Sequence, residues 1–343
     1  MKYLLIGGCG FIGCNFAEKL VESGCQVLLA DNLSRKGAID NLQYLQNQYK
    51  NEIVFEHLDI RCNYDKLLIL MDKVDVVYHL AAQVAVTTSV KSPREDFEIN
   101  ALGTFNVVEA IRNSQRKPIL LYASTNKVYG GMEDIAVVEK NNRYMYRDFK
   151  KGIPEDKLLD FHSPYGCSKG IGDQYVKDYA RIYGIKTAVL RQSCIYGKRQ
   201  FGLEDQGWVA WFTIASLLDK QITVYGNGKQ VRDVLYVDDL FEVWKLVTDR
   251  IDEVCGEVFN IGGGIENTLS VLELLEQLEK RLKKKIDYKF SGWRPGDQPV
   301  YISDINKTYQ LLQWRPKVSV EEGIGLMSEW IEDNIDLLRC MFA

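Results

Sequence analysis

The sequence predicts an α/β fold built on a doubly wound parallel sheet, followed by a second, smaller α/β domain. Three observations carry that prediction. Apolar runs of strand length alternate with amphipathic stretches of helix length through the first half of the chain. Gly7, Gly10 and Gly13 fall where the first run gives way to the first helical stretch. Beyond about Arg191 the alternation breaks into shorter strands and loops.

Strands are expected at 2–6, 26–31, 52–57, 74–79, 118–124 and 187–191, with helices between them at 11–23, 93–114 and 164–183. Later elements are a strand at 222–225 and helices at 270–284 and 320–337. Segments 231–249 and 257–261 again read as strand, helix and strand, so the chain is expected to return to its first domain before completing the second. The expected division is 1–191 with 231–261 for the nucleotide-binding domain, and 192–230 with 262–343 for the other.

Composition narrows the function classes. The 343 residues are 46% hydrophobic, enough for one large core or two coupled ones. Charged residues make up 26% in mixed sign with a net charge of -4, which lacks the electrostatic footprint of a nucleic-acid binder. The basic run Lys280 to Lys285 alternates with Glu276 and Glu279 and reads as a solvated helix face. No apolar run approaches the roughly 18 to 20 residues that cross a bilayer. The apolar stretch before Cys9 is too short for an export leader. The eight cysteines include no C-x-x-C pair and no spacing of a zinc site or disulfide framework. Free thiols, no metal and a reducing cytoplasm are the expectations.

The glycines form a G-x-x-G-x-x-G pattern. At this position glycine permits a tight turn and lets backbone N–H groups approach a pyrophosphate, which rests on the positive end of the following helix. Asp31 ends the second strand about twenty residues on, where an acid binds the adenosine ribose hydroxyls. Its carboxylate would repel a 2′-phosphate and favours NAD, although Arg35 and Lys36 leave NADP open. Asp59 and Ile60 follow the third strand, where an adenine contact or a plain strand-end turn fits equally well.

Tyr165 and Lys169 are four residues apart on an expected helix and share a face. For a phenol to act as a base near neutrality its pKa must fall by about 3, or roughly 4 kcal/mol. One ammonium at about 4 Å, with an effective dielectric near 20, supplies an interaction of that order. Ser124 and Thr125 end the fifth strand, and carboxyl ends of strands are where open parallel sheets place their ligands. A Thr125 hydroxyl there can bond both a substrate alcohol and the Tyr165 phenol.

Together Gly7-x-x-Gly10-x-x-Gly13, Asp31, Leu80-Ala81-Ala82, Asn100, Ser124-Thr125 and Tyr165-x-x-x-Lys169 resemble the extended short-chain dehydrogenase/reductases, specifically their sugar-nucleotide epimerases and dehydratases. The resemblance covers essentially the whole chain and implies a Rossmann domain with a smaller sugar-nucleotide-binding domain. It implies that Tyr165 is the general base, that Lys169 lowers its pKa and holds the nicotinamide ribose, and that Thr125 orients the substrate hydroxyl. It also assigns Phe11, Ile12, Asn32, Ser34 and Arg35 to NAD, beside the glycines, Asp31, Asp59, Ile60, residues 80–82 and Asn100.

Dehydratases of this family place a carboxylate directly after the threonine, and this chain has Asn126-Lys127 there. An epimerase needs no such acid. Segments 31–38, 124–130, 160–170 and 226–234 are similar to those of CDP-hexose 2-epimerases. That implies oxidation at C2, rotation of a 2-keto intermediate and hydride return by the same bound NAD. A 4-epimerase of another nucleotide-hexose shares the catalytic set and remains open, as does a catalytically silent NAD-binding relative. Intact Tyr165, Lys169 and Thr125 count against the silent relative.

On the substrate side the resemblance assigns Gln83, Thr125, Asn126 and Lys127, with Gln206, Gly207 and Trp208 in the nucleotide pocket. Arg232 and Arg294 take the pyrophosphate and Asp297 the ribose, against ordinary surface ion pairs as the other reading of the arginines. Cys194 stands where UDP-galactose 4-epimerases carry an asparagine, so their sugar contacts do not transfer directly. The family also implies a homo-oligomer, paired through helices 93–114 and 164–183.

Overall fold

The computed structural model describes residues 1–294 and 296–342. Its largest sheet has seven parallel strands: β1 (Lys2–Ile6), β2 (Gln26–Asp31), β3 (Ile53–His57), β4 (Val76–His79), β5 (Ile119–Thr125), β6 (Thr187–Gln192) and β7 (Val258–Ile261). Their spatial order is β7-β6-β5-β4-β1-β2-β3. In register, Tyr3 lies opposite Val27 on one side and Val76 on the other. The order reverses between β1 and β4, the switch point at which such sheets open a crevice beyond their carboxyl ends. The fully buried strand β4 and the five consecutive buried residues ending β2 show why these runs read as continuously apolar.

The chain divides into two compact units. The first comprises Met1–Val128, Phe161–Arg191 and Phe241–Phe259. The second comprises Tyr129–Asp160, Gln192–Leu240 and the chain from Asn260 onward. This differs from the expected boundaries at 231–240 and 129–160. The strand Val231–Tyr236 does not join the seven-stranded sheet. It pairs instead with Cys194–Tyr196, Thr268–Ser270 and Val300–Tyr301. A strand–helix–strand pattern fixes element type but not which sheet a strand completes.

In the first unit, Leu4, Ile6, Leu28, Val77, Leu120, Val107, Ile111 and Val176 form a continuous buried core between strands and helices. On another face, Phe16, Tyr78, Phe241 and Trp244 meet edge to face, with ring centroids 4.9 to 5.9 Å apart.

The expected helix 93–114 is three pieces: Pro93–Phe97, a π turn over Glu98–Leu102, and Gly103–Asn113. A π turn inserts one residue into the helical ladder and rotates the next turn about the axis. Here it turns Asn100 inward and lets Gly103 abut Ile60, whose Cδ1 would lie 2.5 Å from a Cβ at 103. The expected helix 320–337 is likewise broken. Asn334 ends Val320–Asp333 by donating its side-chain amide to Trp330 O at 2.8 Å, and Ile335–Phe342 succeeds it.

The second unit holds the parallel pair Ile222–Tyr225 and Tyr288–Ser291, an antiparallel hairpin Val137–Lys140 and Arg143–Tyr146, and the four-strand group around Val231–Tyr236. Its helix Val271–Leu282 starts at a reciprocal cap, with Ser270 and Glu273 each bonding the other's backbone N–H. No described helix is long and apolar enough to cross a membrane.

Candidate active site

The glycine turn in the first unit has the geometry that its spacing predicts. Gly7 sits at φ +82°, and a Cβ there would lie 2.6 Å from the Ala81 amide nitrogen. A Cβ on Gly13 would lie 2.5 Å from Gly7 O, so the helix Phe11–Glu22 can begin this close to the turn only without a side chain. Asp31 ties the turn to β2: its carboxylate accepts Cys9 N–H at 3.0 Å and Leu33 N–H at 2.8 Å. Leu80 N–H bonds Ile6 O at 2.8 Å, which brings Leu80, Ala81 and Ala82 alongside.

Asp59 is more closely engaged than a free adenine contact would be. Arg61 donates to it from Nε and Nη2, the latter at 2.7 Å, and Asn32 Nδ2 donates at 3.0 Å. The Arg61 bonds hold the Asp59 carboxyl down at about 2. Asn32 in turn accepts from Ser34 N–H at 3.1 Å. These bonds hold the loop after β2 and the loop after β3 together. A main-chain curve with no side chain over it, closed by an acid at the end of β2, fits a dinucleotide.

The helix Ser163–Tyr183, which carries Tyr165 and Lys169, starts under backbone strain, with Ser163 at φ +68° directly before Pro164. Spacing of four then places Tyr165, Lys169 and Asp173 on its buried face. Tyr165 is hydrogen-bonded to Thr125 at the end of β5. Thr125 Oγ1 accepts Lys127 N–H at 3.2 Å and reaches Asn126 Oδ1 at 3.3 Å, inside the 3₁₀ turn Asn126–Tyr129. The Asn126 side chain is thus an amide facing the threonine, and no acid stands in that position.

The charge state departs from the simple expectation. Burial pushes the Tyr165 phenol up to about 12, with the Thr125 bond and the Arg35 charge opposing it and Asp96 adding to it. Burial also pulls the Lys169 ammonium down to about 7, against Asp173 and Asp96. The physical reason is desolvation, which disfavours the charged form of each. Lys169 spends its donors on Ala123 O at 2.6 Å and sits 4.2 Å from the Tyr122 ring centroid. The chain alone therefore does not lower the phenol pKa as a bare ammonium at 4 Å would.

Asn100 and Gln83 are locked together below this pair. Asn100 Nδ2 donates to Gln83 O, Asp96 Oδ1 and Ser168 Oγ at 3.0, 3.1 and 3.2 Å, while its Oδ1 accepts Gln83 N–H at 2.9 Å. Gln83 Nε2 bonds Ala85 O and Asp96 Oδ1, and its Oε1 accepts Ala85 N–H. With its side-chain amide engaged at both ends, Gln83 shapes the loop after β4 rather than presenting a free donor.

Sequence reasoning missed Asp96, Ser168 and Asp173. Asp173 accepts two bonds from Arg191, each at 2.9 Å, and one from Ser124 Oγ at 2.6 Å, and so fixes the end of β5 against the helix Ser163–Tyr183. The run of polar residues at 165, 169 and 173 on one helix face was the available signal.

In the second unit Arg232 is half-buried, donates to Val231 O at 2.8 Å and pairs with no carboxylate among the described residues. Its neighbour Asp233 is fully buried and accepts from Ser193 Oγ and from the Gly264 and Ser303 amides, which pins this strand. Arg294 lies 3.7 Å from the Tyr225 ring centroid, bonds Glu204 O at 3.0 Å and pairs with Asp205 at 3.3 Å, while Asp297 N–H bonds Arg294 O. Gln206 and Leu203 exchange backbone bonds at 2.9 Å, Gly207 turns at φ +71°, and Trp208 opens the helix Trp208–Leu217. No group of His, Cys, Asp and Glu suited to a metal ion occurs among the described residues.

Known proteins match this arrangement over nearly the full length. The chain is 46% identical over 338 residues to CDP-paratose 2-epimerase of Salmonella typhi, covering 96% of this chain and 99% of that protein. It is similar to the crystal structure of UDP-glucose 4-epimerase with UDP-glucose from Thermotoga maritima, with TM-score 0.84 and 31% identity over 98% of this chain and 100% of that one. It is also similar to UDP-glucuronic acid 4-epimerase from Bacillus cereus in complex with UDP-glucuronic acid and NAD, with TM-score 0.83 and 29% identity over 97% and 99%. The family described as GDP-mannose 4,6 dehydratase matches residues 4–327, and the chain belongs to that family, within the extended short-chain dehydrogenase/reductases that comprise NAD-dependent epimerases and dehydratases.

Proposed function

We propose that the protein is an NAD-dependent epimerase that inverts C2 of a CDP-hexose of the paratose/tyvelose type through a 2-keto sugar. The likeness to CDP-paratose 2-epimerase, 46% over 96% of the chain, carries this reading, against 31% to the UDP-glucose 4-epimerase of Thermotoga maritima. Asn126 supports it from the site: the position directly after Thr125 holds an amide, so the acid that dehydration requires is missing there.

Gly7, Gly10, Phe11, Ile12, Gly13, Asp31, Asn32, Ser34, Arg35, Asp59, Ile60, Leu80, Ala81, Ala82 and Asn100 would hold NAD, which when bound supplies the hydride acceptor and a positive charge beside the phenol. Tyr165 takes the proton of the C2 hydroxyl and returns it. Thr125 holds that hydroxyl and the phenol in line, and Lys169 binds the ribose and contributes its charge. Asn126 and Lys127 border the sugar. Arg232 and Arg294 take the pyrophosphate and Asp297 the cytidine ribose, with Gln206, Gly207 and Trp208 at the base.

The protein is further proposed to work as a homo-oligomer in a cytoplasmic setting. Phe97, Phe105, Tyr175, Ile182 and Tyr183 are 37 to 59% exposed on helices Pro93–Phe97, Gly103–Asn113 and Ser163–Tyr183, an apolar stripe that a second copy would cover. Light scattering that finds only a 39.3 kDa particle would remove that part.

Incubation of the purified protein with CDP-, UDP- and GDP-hexoses, with the products read by proton NMR, tests the function. Inversion at C2 confined to CDP sugars is expected. Inversion at C4 would replace this reading with the 4-epimerase that shares the same catalytic set, and no change in any sugar would leave a silent NAD-binding relative.

A further inference from the structure

Asp96 is 1% exposed, and its carboxylate accepts hydrogen bonds from Gln83 Nε2 at 2.8 Å, Asn100 Nδ2 at 3.1 Å and Ser168 Oγ at 2.5 Å. All three donors are neutral, and Asp96 takes part in no ion pair among the described residues. A buried carboxylate without a cation is costly, and nature usually pairs it. Asp173, the buried acid on the helix Ser163–Tyr183, is already matched by the two-pronged Arg191. Lys169 lies one residue beyond Ser168, the Asp96 donor, and its charge favours the ionised Asp96, as Asp173 and then Asp96 favour the charged Lys169.

The three partners come from three separate segments. Gln83 lies in the loop after β4, Asn100 in the π turn, and Ser168 on the helix Ser163–Tyr183 between Tyr165 and Lys169. One carboxylate therefore sets the register of that helix against the loop that borders the nicotinamide position. We propose that Asp96 is a positioning residue, clamping Gln83, Asn100 and Ser168 together and adding its negative charge to the surroundings of the Tyr165–Lys169 pair. The proposal rests on Tyr165 and Lys169 being the catalytic pair, and its test needs no sugar substrate.

The groups facing Lys169 are few. Asp173 and Tyr165 share its helix, Tyr122 on β5 lies under it, His79 on β4 is buried and held neutral, and Asp96 approaches from the helix Pro93–Phe97. Arg35 stands beside Tyr165 and Arg191 behind Asp173. Removing the Asp96 charge leaves Lys169 with a carboxylate that Arg191 already neutralises.

The experiment uses protein saturated with NAD and labelled with 13C at lysine Cε, the Lys169 signal being identified by its loss in Lys169→Arg. In Asp96→Asn the Lys169 titration midpoint should fall by about one pH unit, the scale for losing an opposite charge within several ångströms. Asp96→Glu should return it toward the parent value. The unsubstituted protein provides a second reading that survives a misfolded variant: the Lys169 signal should show a smaller inflection on further acidification, where Asp96, raised by burial, gains its proton. An unchanged midpoint in Asp96→Asn, or a single inflection in the parent, would overturn the proposal.

Discussion

The cofactor half of the first unit and the substrate-assigned residues of the second differ in how far their polar groups are already satisfied. In the first unit Asp31, Asp59, Gln83 and Asn100 bond one another or their own loops. In the second, Arg294 pairs with Asp205, but among the described residues Arg232 has no carboxylate partner and the buried Trp208 Nε1 has no hydrogen-bond partner. The first set holds its shape without help from a ligand. The second leaves buried or half-buried donors that an anionic, hydrogen-bonding ligand would satisfy, and such donors are costly to leave unmade.

That contrast can be broken by substitution. Tyr165→Phe removes only a proton acceptor from the self-satisfied half. Turnover should drop by about 10²- to 10⁴-fold with NAD retained, measured by NMR turnover and cofactor absorbance on the same sample. Near-normal rates would mean that the base is elsewhere. Asp173→Ala breaks the buried Arg191 pair and should cost about 3 to 5 kcal/mol of stability in thermal or denaturant unfolding. A loss under about 1 kcal/mol would show the pair to be exposed to water in solution.

The second half sharpens the contrast differently. Arg232→Ala should raise KM for the sugar nucleotide by roughly 10- to 100-fold with little change in melting temperature, since its guanidinium supports no ion pair among the described residues. A large stability loss with unchanged KM would reverse the assignment. The smallest effect expected is at Asp59. Its carboxyl is depressed in the folded state, so its contribution is present above the unfolded value near 3.9 and is lost as pH falls through about 2. Asp59→Asn should therefore cost about 1 kcal/mol at pH 7 and almost nothing at the acid end, as read from unfolding at both pH values.

The same contrast governs what could be read from the residues. The sheet was legible because its inner strands are buried on both faces, so β1 and β2 matched their expected bounds residue for residue. Gly7, Gly13 and the Tyr165–Lys169 pair were legible because backbone approach and helix spacing constrain residue type strongly. The π turn at Asn100 was not, because nothing in a local apolar pattern distinguishes it from continued helix. Asp96 escaped for a related reason: beside Glu95 at a helix start it reads as a solvated first-turn acid, and only tertiary structure shows it buried. The path of Val231–Tyr236 depended on long-range pairing with Cys194–Tyr196, Thr268–Ser270 and Val300–Tyr301, which no window of sequence contains.

The proposed chemistry turns on a hydride that leaves C2 and returns to it without entering solvent. The most direct test supplies the CDP-hexose with deuterium at C2, in ordinary water and with no cofactor added beyond what the protein retains, and tracks both epimers by NMR. Hydride return predicts that the inverted product keeps its deuterium at C2. Replacement of that label by solvent hydrogen as inversion proceeds would contradict it, because C2 would then exchange a proton and not carry a hydride.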